Sequence, residues 1–172
     1  MPPSTGKSSQ MFEPTGAVVS TSSVLSPKSR WSAEQTVAFL RESCLPLRVA
    51  SVNAKGYPHI TSLWFRFIAG RFWCCTQQRA VVCKQILRDP HVGFEVAVNA
   101  PPYFGVRGQG DAEIVQGDAH ELLNELCDRY LDDSNARLKA WLLSRIATEA
   151  IIAITPRRLT SWDFRHRMST PD

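Results

Sequence analysis

In the stretch CCTQQRAVVCKQILRDPHVGF, residues 74–94, a single arginine stands where a helix should begin. The stretch reads as the end of a strand, a helix over about Gln78 to Arg88, and the start of another strand. Arg79 then sits at the helix mouth, where unpaired backbone N–H groups and the positive end of the helix dipole favour an anion. The chemistry on offer is anion binding, set against the plainer reading of Arg79 as a solvated helix charge. Cys75, just before the mouth, is the one cysteine placed for a helix terminus to lower its pKa, and so the one candidate thiol nucleophile. His59, His91, His120 and His166 are scattered, and none has a carboxylate or serine at a spacing that makes a triad. Cys74 and Cys75 must point to opposite faces of a strand and cannot chelate one metal together. With no Cys-x-x-Cys pair and no paired histidines, no metal site is expected.

The elements that must position these residues belong to one domain. A chain of 172 residues with 44% hydrophobic content is long enough for one well-buried core. Its five cysteines, an odd number, fall inside apolar periodic segments, which fits reduced thiols in a cytoplasmic protein. The formal charge is +4, and Arg157, Arg158, Arg165 and Arg167 concentrate much of it near the C-terminus. Acidic residues are spread throughout and no nucleic-acid module is visible, so no nucleic-acid partner is expected. Residues 1–30 are rich in Ser, Thr and Pro and read as a disordered tail or an arm. They hold no apolar run long enough for a signal peptide or membrane span.

Ser32 with Gln35 makes a capping box for a helix over about 33–43. LRVASVN and YPHITSLWFRF, joined through Ala54-Lys55-Gly56, read as a hairpin. RFWCCT adds a third strand, making residues 47–76 an antiparallel meander. The next helix sets Val82, Cys83, Ile86 and Leu87 on one face. HVGFEVAV is a fourth strand and VRGQGDAEIV a fifth, with Arg107, Gln109, Asp111 and Glu113 facing away from Val106, Gly108, Gly110, Ala112 and Ile114. Glycines on the inward face imply close approach of another backbone or a ligand. Gln109 is exposed unless a partner covers it. Two further helices and the strands AIIAIT and RLTSWDF close an α+β, mainly β, barrel of six to seven mostly antiparallel strands with peripheral helices. Ile60, Leu63, Trp64, Phe65 and Phe67 put apolar surface on both faces of the second strand, which predicts a homodimer.

The order RVASVNAKGYPHITSLWF, FWCCT, LRDPHVGFEV, GVRGQGDAEIV, ITPRRLTSWDF resembles the pyridoxamine 5'-phosphate oxidase-like FMN-binding split-barrel family, over about residues 31–167. The resemblance implies a split barrel spanning 31–170 and a homodimer with FMN, or in some branches a deazaflavin coenzyme, at its interface. It implies that Thr61, Ser62, Leu63 and Trp64 lie beside the isoalloxazine, that Cys75, Thr76 and Gln77 hold the phosphate, and that Trp162 sits near the cofactor. The activity implied is oxidoreduction of a small-molecule substrate; the alternative is a non-catalytic flavin- or haem-binding carrier or sensor.

One departure stands out. Pyridoxamine phosphate oxidases begin the helix after the third strand with a Ser-Arg-Lys run that grips the phosphate. Counting back from Asp89-Pro90 puts Ala80-Val81-Val82 there. Lys84 is turned about 140° around the helix from Arg79 and points elsewhere. Arg79 is left as the main charged side chain for a cofactor phosphate.

Overall fold

The first helical turn that the sequence marks is also the simplest to explain. The computed structural model describes residues 11–169. In it α2 (Ala33–Glu42), which follows a short α1 (Thr21–Val24), is capped by Ser32. The Gln35 N–H donates to Ser32 Oγ at 3.2 Å, and the Ser32 N–H donates to Gln35 Oε1 at 2.9 Å. β1 (Leu47–Val52) and β2 (Pro58–Leu63) form the expected hairpin. Its turn is closed by Asn53, whose Oδ1 accepts from the N–H of Lys55 (2.8 Å) and of Tyr57 (3.1 Å).

The meander does not continue. The run YPHITSLWFRF breaks at Trp64-Phe65, and β3 (Arg66–Ile68) is a separate strand paired with β4 (Arg71–Gln77). With α3 (Val81–Arg88), β5 (His91–Ala97), β6 (Phe104–Val115), α4 (His120–Tyr130), α5 (Ala136–Ser144) and β7 (Glu149–Asp163), the order in the one antiparallel sheet is β2-β1-β5-β6-β7-β4-β3. β2 and β3, adjacent in sequence, are its opposite edges, so the sheet must curl into a split barrel. Tyr130 fixes the break: its ring stacks on Trp64 at 5.2 Å, its hydroxyl accepts from the Phe65 N–H (3.3 Å), and the same hydroxyl donates to Leu45 O (3.1 Å). A local strand pattern cannot reveal a bend that a helix sixty residues away imposes.

Inside the barrel Phe72 meets Phe65, Phe67 and Phe94 at ring distances of 5.4, 4.8 and 4.9 Å. A second apolar cluster lies on the other face of β4 and β7, where Trp73, Ile151 and Ala153 pack under Leu122 and Leu126 of α4. Cys74 joins the first cluster and Cys75 the second, as alternation along a strand requires. Most of the second strand's apolar surface is thus absorbed within one chain, and Ile60, 68% exposed, is the residue of that set left outside.

The helix predicted from Gln78 begins at Val81, so Arg79 lies in the turn before it. Its buried arc is Val82, Cys83, Gln85 and Ile86; Leu87, expected on that face, is 74% exposed because it falls just past the edge of the arc. Gln85 is buried because Ser51 Oγ donates to its Oε1 at 2.6 Å.

Residues 11–30 run along the barrel as an arm. The Val19 N–H donates to Ala69 O (2.9 Å), and Leu25 forms a parallel bridge with Leu159. The arm touches the Ala69-Gly70 turn so closely that a Cβ at Gly70, already at φ +77, would lie 1.9 Å from Val19 O. Phe12 sets its ring edge-on to Trp73 at 5.3 Å. Phe12→Ala should cost about 1–2 kcal/mol of burial and lower the melting temperature by about 2–8 °C, which calorimetry will read. An unchanged melting temperature would mean that the arm's tip contributes nothing.

Candidate functional site

Two rows of side chains cross the outer face of the sheet from its edge at β2. Register aligns Ile60, Ala50, Gly93, Gln109 and Arg158 in one row and Ser62, Arg48, Glu95, Arg107 and Thr160 in the next. At about 4.8 Å per strand each row is about 19 Å long. Together they line a groove of about 580 Å³, whose lining includes all of these residues except Ser62.

The floor of the groove is built from the smallest side chains. Gly93 and Ala50 face each other across β1 and β5, and a Cβ added at Gly93 would meet Ala50 Cβ at 3.8 Å and Gly108 O at 4.0 Å, both ordinary contacts. Gly108 differs: a Cβ there would lie 2.3 Å from Arg158 O and 2.6 Å from the Phe94 ring, so glycine is required by packing. The expected close approach at Gly108 is therefore another backbone and an aromatic ring. Gly93 leaves open a space that a side chain could fill.

The rim is basic. Arg48, Arg107 and Arg158 stand against one carboxylate, Glu95, which pairs with Arg48 at 3.5 Å. Arg48 also donates to Asn99, and Arg107 lies over the Trp162 ring at 5.5 Å. Among the described residues β2 pairs only with β1, so one side of its backbone meets no described strand. The site thus combines an apolar floor, guanidinium donors and an open strand edge, a set that suits a flat ligand with polar edges and an anionic group.

The residues singled out in the sequence divide between four places. Ser62 faces the groove side, and Trp162 stands beside it under Arg107. Thr61 and Leu63 share the opposite face of β2, where Leu63 is in the barrel core. Trp64 is stacked on Tyr130 beyond the strand's end. Cys75, Thr76, Gln77 and Arg79 gather at the end of β4 and the turn into α3. Nothing local in the sequence marks Arg48, Ala50, Gly93, Arg107 and Arg158 as one site. The outward alternation of Arg107 and Gln109 was legible, but their assembly with residues of β1, β5 and β7 depends on register.

The mouth of α3 has its own electrostatics. Val82 is 1% exposed and belongs to the core, while Val81 is 54% exposed. Gln77 donates its side-chain amide to the carboxylate of Glu149, its partner across β4 and β7. Burial pushes the Cys75 thiol far up, and the charges of Cys74 and Glu149 push in the same direction. This is the reverse of what a thiolate nucleophile needs.

An antiparallel sheet curled into a split barrel with flanking helices defines the fold class. The family model for pyridoxamine 5'-phosphate oxidase matches residues 32–163, and the chain belongs to that split-barrel family. Among solved structures it is similar to the conserved hypothetical protein Rv2991 from Mycobacterium tuberculosis, with 23% identity, 86% of this chain and 94% of that one covered, and a TM-score of 0.68. An F420 reductase is similar at 24% identity over 70% of this chain and 93% of the other, with a TM-score of 0.55. HutZ, the haem storage protein from Vibrio cholerae, is similar at 15% identity over 77% and 98%, with a TM-score of 0.60. No functionally curated protein matches the chain.

The fit to a flavin-type cofactor differs between its two ends. A ring fits the groove, since Gly93 and Ala50 leave a cradle that a Cβ would fill and the β2 edge has backbone groups to pair with a ring's polar edge. The phosphate end does not fit the mouth of α3, where Val81 and the buried Val82 replace charge and Glu149 stands close by. Among the described residues no helix is long and apolar enough to cross a membrane.

Proposed function

We propose that the chain is a homodimeric, cytoplasmic oxidoreductase that holds a flavin-type ring, of FMN or of a deazaflavin coenzyme, and acts on a small-molecule substrate. The observation that carries this reading is the cradle over Gly93 and Ala50, where packing does not require the glycine. Such a ring, when bound, supplies hydride transfer. The chain's own residues bind and orient it: Ser62 and the neighbouring backbone of β2 meet its polar edge, Arg48, Arg107 and Gln109 meet polar groups on the ligand, and Ile60 excludes water from one side. A second copy covers the open groove and brings its Trp162 to the rim. Thr61, Leu63 and Trp64 then act by shaping β2, and Thr76 by shaping the turn into α3.

The apolar mouth of α3 favours one alternative, a non-catalytic flavin- or haem-binding carrier or sensor on the same barrel. A native mass spectrum of the freshly purified protein, with an absorption spectrum after desalting, separates them. Dimer mass with a flavin or deazaflavin chromophore reducible by a nicotinamide donor supports the oxidoreductase; a haem Soret band, or a chromophore that no donor reduces, supports the carrier. Gly93→Leu tests the groove itself. It should leave the melting temperature within a few degrees, because the strand accepts a side chain there, and weaken ring binding at least about tenfold by filling the cradle. Unchanged affinity in a folded variant would move the site elsewhere.

A further inference from the structure

The turn before α3 is clamped to the start of β7. The Gln78 N–H donates to Thr148 O at 2.8 Å, Gln78 Nε2 donates to Glu149 O at 3.2 Å, and Thr148 Oγ1 donates to Gln77 Oε1 at 3.2 Å. These contacts hold Glu149, 9% exposed, against the end of β4, where its carboxylate accepts a hydrogen bond from the Gln77 side-chain amide. No cation pairs with it among the described residues. Its charge reaches the first turn of α3: burial is the larger cause of the raised Cys83 thiol, and Glu149 adds to it. Glu149 and Cys83 also line one cavity of about 260 Å³ together with Gln78 and Leu87.

We propose that Glu149 is the resident anion of the α3 mouth and sets the ligand class of the site, which accepts a flavin-type ring whose side chain carries no phosphomonoester there. The proposal rests on the flavin reading above and narrows it. A carboxylate that shares a cavity with Cys83 of the first turn lowers the positive potential that the start of α3 would otherwise present to a phosphate. A dianionic phosphate entering the same place meets a like charge in a partly desolvated setting. Arg79, exposed and in the turn outside the helix, is the cation nearest the start of α3 along the chain and offsets this only through solvent. Val81 and Val82 supply no charge, so the departure from Ser-Arg-Lys and the presence of Glu149 act in the same direction.

Glu149→Gln tests this, since the new amide oxygen can still accept from Gln77 and the fold is retained. Full-length protein and variant are titrated with riboflavin and with FMN by fluorescence quenching, and their melting temperatures are compared in inorganic phosphate and in chloride at equal ionic strength. The native chain should bind riboflavin at least as tightly as FMN. The variant should bind FMN about tenfold more tightly, hold riboflavin within about twofold, and gain a phosphate-dependent stabilisation that a second change, Arg79→Ala, reduces. A native preference for FMN, or an equal response of both ligands to the substitution, would overturn the proposal. If neither flavin binds either protein, the flavin reading fails and the phosphate comparison decides alone: stabilisation of the variant only supports Glu149 as the resident anion, and equal stabilisation of both proteins rejects it.

Discussion

Val82→Lys is expected to cost the protein most of its stability, while Val81→Lys is tolerated. Both substitutions place a cation in the run where the family resemblance implies charge, and from the sequence Val82 is the matching position for the lysine. The structure separates them: Val82 is 1% exposed among Phe72, Cys83 and Ile86, and Val81 is 54% exposed. A buried lysine without a partner loses about 3–5 pKa units, at about 1.4 kcal/mol each, so the penalty is about 4–7 kcal/mol. That is comparable to the whole stability of a marginal domain. Thermal unfolding should show a drop of at least about 10 °C for Val82→Lys, or no folded protein, and a shift within a few degrees for Val81→Lys. Two variants of equal stability would mean that α3 is rotated relative to the barrel. If the resident-anion proposal holds, Val81→Lys should also improve FMN binding relative to riboflavin, by offsetting Glu149 from the exposed side.

The second large effect belongs to the barrel core. Phe72 is fully buried, and its ring is the one that touches Phe65, Phe67 and Phe94. Phe72→Ala should cost about 3–5 kcal/mol, as transfer energy plus the cavity left among rings that cannot collapse together. The melting temperature should fall by about 6–20 °C. Phe94→Ala also uncovers Gly108, so the pair Phe72→Ala and Phe94→Ala should be less than additive, since both open the same space. Strict additivity in a double-mutant cycle would show that the two rings pack independently.

Much of this protein is legible without coordinates because its signals are local. The Ser32–Gln35 capping box is a matter of neighbouring residues competing for neighbouring N–H groups, and α2 starts where it says. Alternation of Arg107 and Gln109 with Val106 and Gly108 sets the two faces of β6, because successive side chains on any strand must point apart. The adjacent thiols of Cys74 and Cys75 part for the same reason. The order of these motifs was enough to place the chain in its family.

Other features depend on residues that meet only after folding. Whether YPHITSLWFRF is one strand or two is decided by Tyr130, whose hydroxyl holds the chain at Phe65. Whether Arg79 or Glu149 governs the α3 mouth is decided by the pairing of β4 with β7, which brings residue 149 to residue 77. The groove is a further case. Arg48, Gly93, Arg107 and Arg158 lie on four strands, and the register that aligns them comes from antiparallel pairing across the curled sheet. Alternation determines which side of its own strand a residue faces; which residues of other strands stand beside it is a property of register, and register is set by the packing of the whole barrel.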